Sequence, residues 1–206
     1  MAPPTVEEIT KNYDFKPELL DRVAFRKFKP KVEIVPANPD WPSVFEVFRD
    51  RIVSALGPQG TRFLAVHHCG STSIPGMPAK DVIDIDLVVP DSTDEMSYVA
   101  PLEAAGFHFL TREPTWYEHR FFCAYEPQLV NLHVWGPDCP EVERHRIFRD
   151  WILEHDDDRE LYARVKEEAA RETRELGQAM MDYNKRKEET VRQILRRALK
   201  HLGYIE

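Results

Sequence analysis

Two periods of apolar residues divide the chain. From about Pro42 to Leu56, Val44, Phe45, Phe48, Ile52 and Leu56 recur at helical spacing. Gly57-Pro58 is the expected stop. Short runs with strand character come before and after: Val32–Val35, then Phe63–Cys69, with a turn-rich link from Pro36 to Pro42. The strongest strand signal spans Val82–Val89, where Ile83, Ile85 and Leu87 alternate with Asp84 and Asp86. A helix is predicted over about Thr93–Ala105, ending at Gly106. Strands are predicted over Phe107–Leu110, Trp116–Tyr125 and Leu129–Trp135. A turn cluster, 136–140, precedes a helix from near Glu141 to about His155.

Asp156, Asp157 and Asp158 offer helix caps. A long helical stretch then runs to about Leu202, with a break expected at Gly177. Its apolar stripe includes Leu161, Val165, Ala169, Leu176, Met180, Tyr183, Val191, Leu195, Ala198 and Leu202. Residues 1–30, interrupted by Pro3, Pro4, Pro17 and Pro30, form an N-terminal extension. In it Thr5 can cap a short helix, and Arg22, Arg26, Lys27, Lys29 and Lys31 interleave with Phe25 and Phe28. Residues 31–206 form the domain, with a sheet core over about 31–136 and a helical part over about 141–202.

The 206 residues, 42% of them apolar, suffice for one domain with a sizeable core. A formal charge of −8 means that a nucleic-acid partner would need a local basic patch. The last helix supplies one in Lys185, Arg186, Lys187, Arg192, Arg196, Arg197 and Lys200, which is either a solvated face or a surface for tRNA. Cys69, Cys123 and Cys139 are odd in number and form no CxxC pair, which fits a reducing compartment. No run is long enough for a membrane span and no signal peptide is visible, so a cytoplasmic protein is expected. Cys139, His133 and His145 lack the spacing of a structural zinc site.

The candidate chemistry lies in residues 70–89. Strand alternation points Asp84 and Asp86 the same way, and two adjacent carboxylates are costly without a cation. Mg²⁺ takes carboxylate oxygens together with substrate phosphates, so Asp84 and Asp86 are the expected metal ligands. Gly70 allows close backbone approach, and Ser71, Thr72 and Ser73 add hydroxyls to a turn that can cradle phosphate. Either motif alone is weak. Their spacing, with a loop leading into a strand, is much more specific.

Gly70-Ser71 followed by Asp84-Ile85-Asp86 resembles the signature of the nucleotidyltransferase (polymerase-beta-like) superfamily. The string from His68 to Gly76, with Ala79-Lys80 and Ile83–Asp86, resembles the GrpB family in particular. So do Trp41, His119–Phe122, Asn131–Val134, Phe148–Asp150, Tyr162, Lys166, Tyr183 and Lys187, over about residues 32–200. The resemblance implies an α+β fold: a nucleotidyltransferase-like mixed sheet flanked by helices, with a long C-terminal helical segment. It implies little about activity, although some family members are fused to dephospho-coenzyme A kinase. Active nucleotidyltransferases usually carry a third carboxylate on a neighbouring strand. Here Asn131 and His133 hold that face. His133 is either a metal ligand or general base, or a satisfied core histidine.

Lys80, Arg120, Arg149 and Lys166 are the candidate phosphate-binding cations, each with surface ion pairing as the simpler account. Three functions follow as expectations. One is a transferase acting on a nucleotide or other phosphate-bearing substrate, with Asp84, Asp86 and His133 catalytic. The second is an aminoacyl-tRNA-dependent acyl transferase forming amides or cyclodipeptides. The third is a non-catalytic module that binds a nucleotide or a partner.

Overall fold

The computed structural model describes residues 3–14, 16–57 and 63–206. Its elements are α1 (Val6–Thr10), β1 (Asp21–Arg22), α2 (Trp41–Leu56), β2 (Ala65–Cys69), β3 (Ile83–Val88), α3 (Val99–Ala104), β4 (His108–Glu113), β5 (His119–Ala124), β6 (Val130–Trp135), α4 (Pro140–Glu154), α5 (Asp156–Glu175) and α6 (Met180–His201). The strands form one mixed sheet in the order β1-β4-β5-β6-β3-β2. Only β3 and β6 run parallel; the other neighbours are antiparallel.

Alternation along β3 and β6 makes the sheet two-sided. Ile83, Ile85 and Leu87 join Val130, Leu132 and Val134 in the main core, against Phe45, Phe48, Ile52 and Leu56 of α2 and Leu102 of α3. The other face carries Asp84, Asp86, Asn131, His133 and Trp135, with register partners Asp84↔Asn131 and Asp86↔His133. Helices α4, α5 and α6 cover this second face.

The helical layer is fixed at several points. Ile74 and Met77, from the loop after β2, pack with Ile152, Tyr162 and Ile194. Asp158 accepts from Trp151 Nε1 at 2.7 Å and from Arg197, tying α4, α5 and α6 together. His145 Nδ1 on α4 lies 2.8 Å from Asp86 Oδ2 in the sheet.

Several boundaries differ from expectation for local reasons. Val32–Val35 is no strand: Val35 makes one isolated bridge to Ala79. Pro30 and Pro36 flank the segment, and proline has no N–H to extend a ladder. The helix predicted over Thr93–Ala105 shrinks to α3, because Asp91 captures Thr93 N at 2.8 Å in a turn. The break at Gly177 is real, with φ +62. Asp156–Asp158 form the first turn of α5 rather than its cap, and His155 occupies the cap. Pro58 lies outside the described residues, and Gly57 N closes α2 on Val53 O.

The N-terminal extension is built into the domain. Ile9 of α1 packs with Ile147, Leu195, Ala198 and Leu199. β1 adds an edge strand beside β4.

The Asp86–His145 pair should carry much of the docking of α4. Burial opposes ionisation of Asp86, but His145, His133 and the Trp135 N–H outweigh it and hold the carboxyl well below its usual range. Burial likewise opposes a charged His145, but Asp86 overrides it and raises the pKa to about 9. Asp86→Ala should cost about 2–3 kcal/mol at pH 7, the low end for a buried pair because His145 is partly exposed. The contribution of His145 should be complete below about pH 6.5. It should fade as pH rises through about 9. That of Asp86 should hold above about pH 4 and disappear on further acidification. Urea denaturation across pH checks both. An identical pH profile in wild type and Asp86→Ala would show that the pair contributes nothing.

Candidate functional site

Between the second sheet face and the helices lies a cleft of about 290 Å³. Its floor is Asp84, Asn131 and His133, its near wall Gly70, Ser71, Thr72 and Lys80, and its far wall Tyr162, Tyr183, Asn184 and Lys187 from α5 and α6. A larger hollow, about 640 Å³, lies between α1, α6 and the C-terminal residues. It contains none of the residues singled out by the sequence pattern around Gly70 and Asp84.

The loop after β2 and the acid on β3 fit as one unit. Gly70 has φ +66, and a Cβ there would stand 2.5 Å from Asp84 Oδ2. Glycine is therefore required twice, for its backbone and for its lack of a side chain. The other oxygen of Asp84 accepts from Asn131 Nδ2 at 2.7 Å. Ser71 Oγ lies 3.0 Å from Tyr162 Oη, so α5 holds the loop from above.

Asp84 and Asp86 share a face but not an environment. Asp86 is 1% exposed. Trp135 Nε1 and His145 Nδ1 occupy its two oxygens, each at 2.8 Å. A Mg²⁺ ion held by both carboxylates does not fit this arrangement, because Asp86 would first have to give up both partners. Asp84 alone remains at the cleft. Cys69, Asp86 and His145 do bring their ligand atoms within 4.8 Å of one another. That thiol–carboxylate–imidazole set suits zinc better than magnesium. Burial, reinforced by Asp86 and Asp84, raises the Cys69 thiol well above its usual range.

His133 ends a buried chain of titratable groups. Its Nδ1 lies 3.0 Å from His119 Nε2, and His119 Nδ1 lies 3.1 Å from Glu113 Oε1. Burial, then His119, pulls His133 down to about 4. Burial pulls His119 to about 3 and raises Glu113. Both rings are therefore neutral near pH 7. With Glu113 ionised, His119 Nδ1–H donates to it, His133 Nδ1–H donates to His119, and His133 Nε2 keeps its lone pair. Trp116, at the cleft edge, packs edge-on against His119 at 4.8 Å.

The cations gather opposite this chain. Lys187 Nζ lies 5.2 Å over the Tyr183 ring and Lys80 Nζ the same distance over that ring. Lys166 Nζ lies 4.4 Å over Tyr162 and donates to the Pro78 carbonyl. Burial lowers all three, and each is lowered further by lysine neighbours or held up by a nearby acid. Lys80 falls to about 8, with Lys187 adding to burial. Lys166 falls to about 7, again with Lys187 next. Lys187 is lowered by burial against the opposing pull of Asp84.

The residues singled out from sequence thus divide. Gly70, Ser71, Thr72, Lys80, Asp84 and His133 meet at the cleft. Ser73 turns inward, donating to Gly70 O at 2.7 Å. Lys166 stands behind Tyr162 as a buried support. Arg149 points away, with Nε donating to Ser73 O at 3.3 Å, beside a smaller hollow near His67 and His68. Arg120 is not brought to the cleft: strand alternation puts it on the opposite face from His119, and it pairs with Glu95 at 2.7 Å. On α6, Arg186, Arg192 and Arg197 are committed to Glu172, Glu188 and Asp158. Lys187 turns into the cleft, so Lys185, Arg196 and Lys200 remain of the basic face.

Of the far wall, the sequence pattern gave Lys187 only to the basic face of the last helix and Tyr162, Tyr183 and Asn184 no role, and it gave none to Glu113 and His119. A signal for the far wall was present: Tyr162–Lys166 and Tyr183–Lys187 repeat one ring–cation pair at i,i+4 spacing, which places each pair on one helix face.

The model of the GrpB protein family matches residues 31–197. A UPF0157 protein of Halalkalibacterium halodurans is 40% identical over 185 residues, covering 88% of this chain and 91% of that protein. A second, from Pseudomonas aeruginosa, is 37% identical over 172 residues, 82% of this chain and 68% of that one. A dephospho-CoA kinase of Mycolicibacterium paratuberculosis is 31% identical over 163 residues, 67% of this chain but 39% of the kinase. Among solved structures, GrpB from Enterococcus faecalis superposes with a TM-score of 0.70 at 21% identity, over 83% of this chain and 99% of that one, a likeness of fold. With the family model spanning residues 31–197 and a relative 40% identical along most of its length, this chain belongs to the GrpB family.

Proposed function

We propose that the cleft binds a phosphate-bearing substrate and transfers a group from or to it. One observation carries this reading. In a protein of net charge −8, Lys80 and Lys187 line a cleft where Asp84 is the facing acid, and Lys166 crowds them from behind Tyr162. Such crowding is unfavourable unless an anion arrives to share it. The kinship with a dephospho-CoA kinase, itself named for a phosphate-bearing substrate, points the same way.

In this reading Lys80 and Lys187 hold the oxyanion, and of the bonded Ser71–Tyr162 hydroxyl pair one donates to its partner and the other to the anion. Tyr183 supplies a flat wall. His133 acts as general base: its Nε2 takes the proton of the attacking hydroxyl or amine as that group bonds to the transferred centre. The leaving group departs with the electron pair of its old bond. His119 and Glu113 orient the ring and stabilise the charge it gains. Asp84 positions the nucleophile or a metal ion brought in on substrate phosphates.

A second reading keeps the same cleft for acyl transfer from an aminoacyl-tRNA. The engagement of Asp86 by Trp135 and His145 favours it, since acyl transfer needs no two-carboxylate metal site.

Titration calorimetry with pyrophosphate, ATP, CTP, GTP and UTP, with and without Mg²⁺, distinguishes the readings. At least one probe should bind, and Lys187→Met should weaken it roughly 10- to 100-fold, the scale of a lost charge-assisted hydrogen bond. No heat from any probe, together with turnover that survives chelator and is abolished by ribonuclease, would replace the first reading with the second.

Affinity for the anion should also depend on pH. Anion binding needs protonated lysines; Lys80 loses its proton near 8, and burial lowers Lys187 as well. The dissociation constant should therefore rise steadily between pH 7 and 9 and level off below pH 6. An affinity flat across that window would detach these lysines from binding.

A further inference from the structure

The N-terminal extension lies outside the matched family region, residues 31–197, yet it touches cleft-lining residues at two points of its path. Tyr13 stacks on Trp116 with ring centroids 4.8 Å apart, and Trp116 lines the cleft. Further along, Arg26 Nη2 donates to Asn131 Oδ1 at 2.6 Å. Asn131 in turn donates to Asp84, so Arg26, Asn131 and Asp84 form one connected line into the floor of the site.

The arm holds Arg26 firmly. Val23 and Ala24 both donate to Leu110 O, at 2.9 and 3.2 Å. Lys27 N donates to Tyr125 Oη at 2.7 Å. Between these anchors the Arg26 guanidinium lies 5.2 Å over the Phe121 ring. Its Nη1 is buried and has no hydrogen-bond partner among the described residues. The same is true of Trp116 Nε1. A folded chain rarely leaves a buried charged donor without an acceptor, and such groups cluster where a ligand supplies one. A guanidinium matches a phosphate edge in shape and charge.

We infer that the arm of residues 21–28 is a wall of the substrate site, and that Arg26 binds an oxyanion of the substrate phosphate through the donor it leaves unpaired. The inference rests on the phosphate-binding reading of the cleft. The arm adds a third cation beside Asn131 of the cleft floor, close enough that its charge is felt at Lys80. A loose arm would bring the guanidinium at an entropic cost. The two backbone anchors remove most of that cost before the ligand arrives.

The test is calorimetric titration of pyrophosphate into the full chain and four variants: Arg26→Ala, Arg26→Lys, Tyr13→Ala and Lys187→Met. Melting temperatures of all five proteins are measured alongside. Arg26→Ala should bind at least tenfold more weakly with a melting temperature close to wild type. Arg26→Lys should fall between the two, because it keeps the charge and loses the fork. Tyr13→Ala should weaken binding less than Arg26→Ala. Wild-type affinity in Arg26→Ala and Arg26→Lys, with loss in Lys187→Met, would overturn the role of Arg26 while sparing the reading of the cleft. Should Arg26→Ala not fold, wild-type affinity in Arg26→Lys would overturn the role of the guanidinium. Absence of binding in wild type would overturn the cleft reading and the role of Arg26 together.

Discussion

The parallel pairing of β3 with β6 sets the terms for everything else. Each strand alternates without interruption, so their register commits one face to hydrocarbon and the other to polar chemistry. A slip by one residue would turn Asp84, Asp86 and His133 into the core and expose Ile83, Ile85 and Leu132. The apolar packing against α2 and α3 is what forbids that slip. The position of each acid and imidazole is thus fixed by the side chains that point away from them.

This accounts for what was legible in the sequence. Alternation from Ile83 to Leu87 is unambiguous, and it placed both acids on one face, as found. The Gly70–Thr72 turn was readable because glycine and hydroxyl residues before a strand have few other uses. The helix α2 and the stretch that became α5 and α6 announced themselves by period. What alternation cannot report is which neighbour claims a polar group. Asp84 and Asp86 look equivalent in one dimension, but Trp135 lies one strand away and His145 one layer away, and together they take Asp86 out of the cleft. Arg120 misled for a related reason: its charge was visible and its face was not weighed against that of His119, its neighbour in the chain. The Glu113–His119–His133 chain joins three strands, and it requires the sheet order before it can be seen.

Electrostatically the second face is a balance between two clusters. On one side, Asp86 and His145 neutralise each other deep in the structure and pin α4. On the other, lysines from the loop, α5 and α6 converge with a single acid facing them. Aromatic rings separate the lysine heads from apolar surroundings: Tyr162 lies under Lys166, and Tyr183 under Lys80 and Lys187. Ring faces carry partial negative charge, so they soften a crowded cationic cluster without neutralising it. The fold thereby tolerates the crowding.

The contact between Gly70 and Asp84 has a wider consequence. Because nothing larger than hydrogen fits at Gly70, the turn that would cradle a ligand and the carboxylate beneath it cannot move independently. Any drift of the turn drags the acid, and with it Asn131. The turn is also stapled to α5 through Ser71 and Tyr162. A ligand seated there would therefore clamp sheet and helices into a single cooperative body, and its affinity would be felt as resistance of the whole molecule to opening.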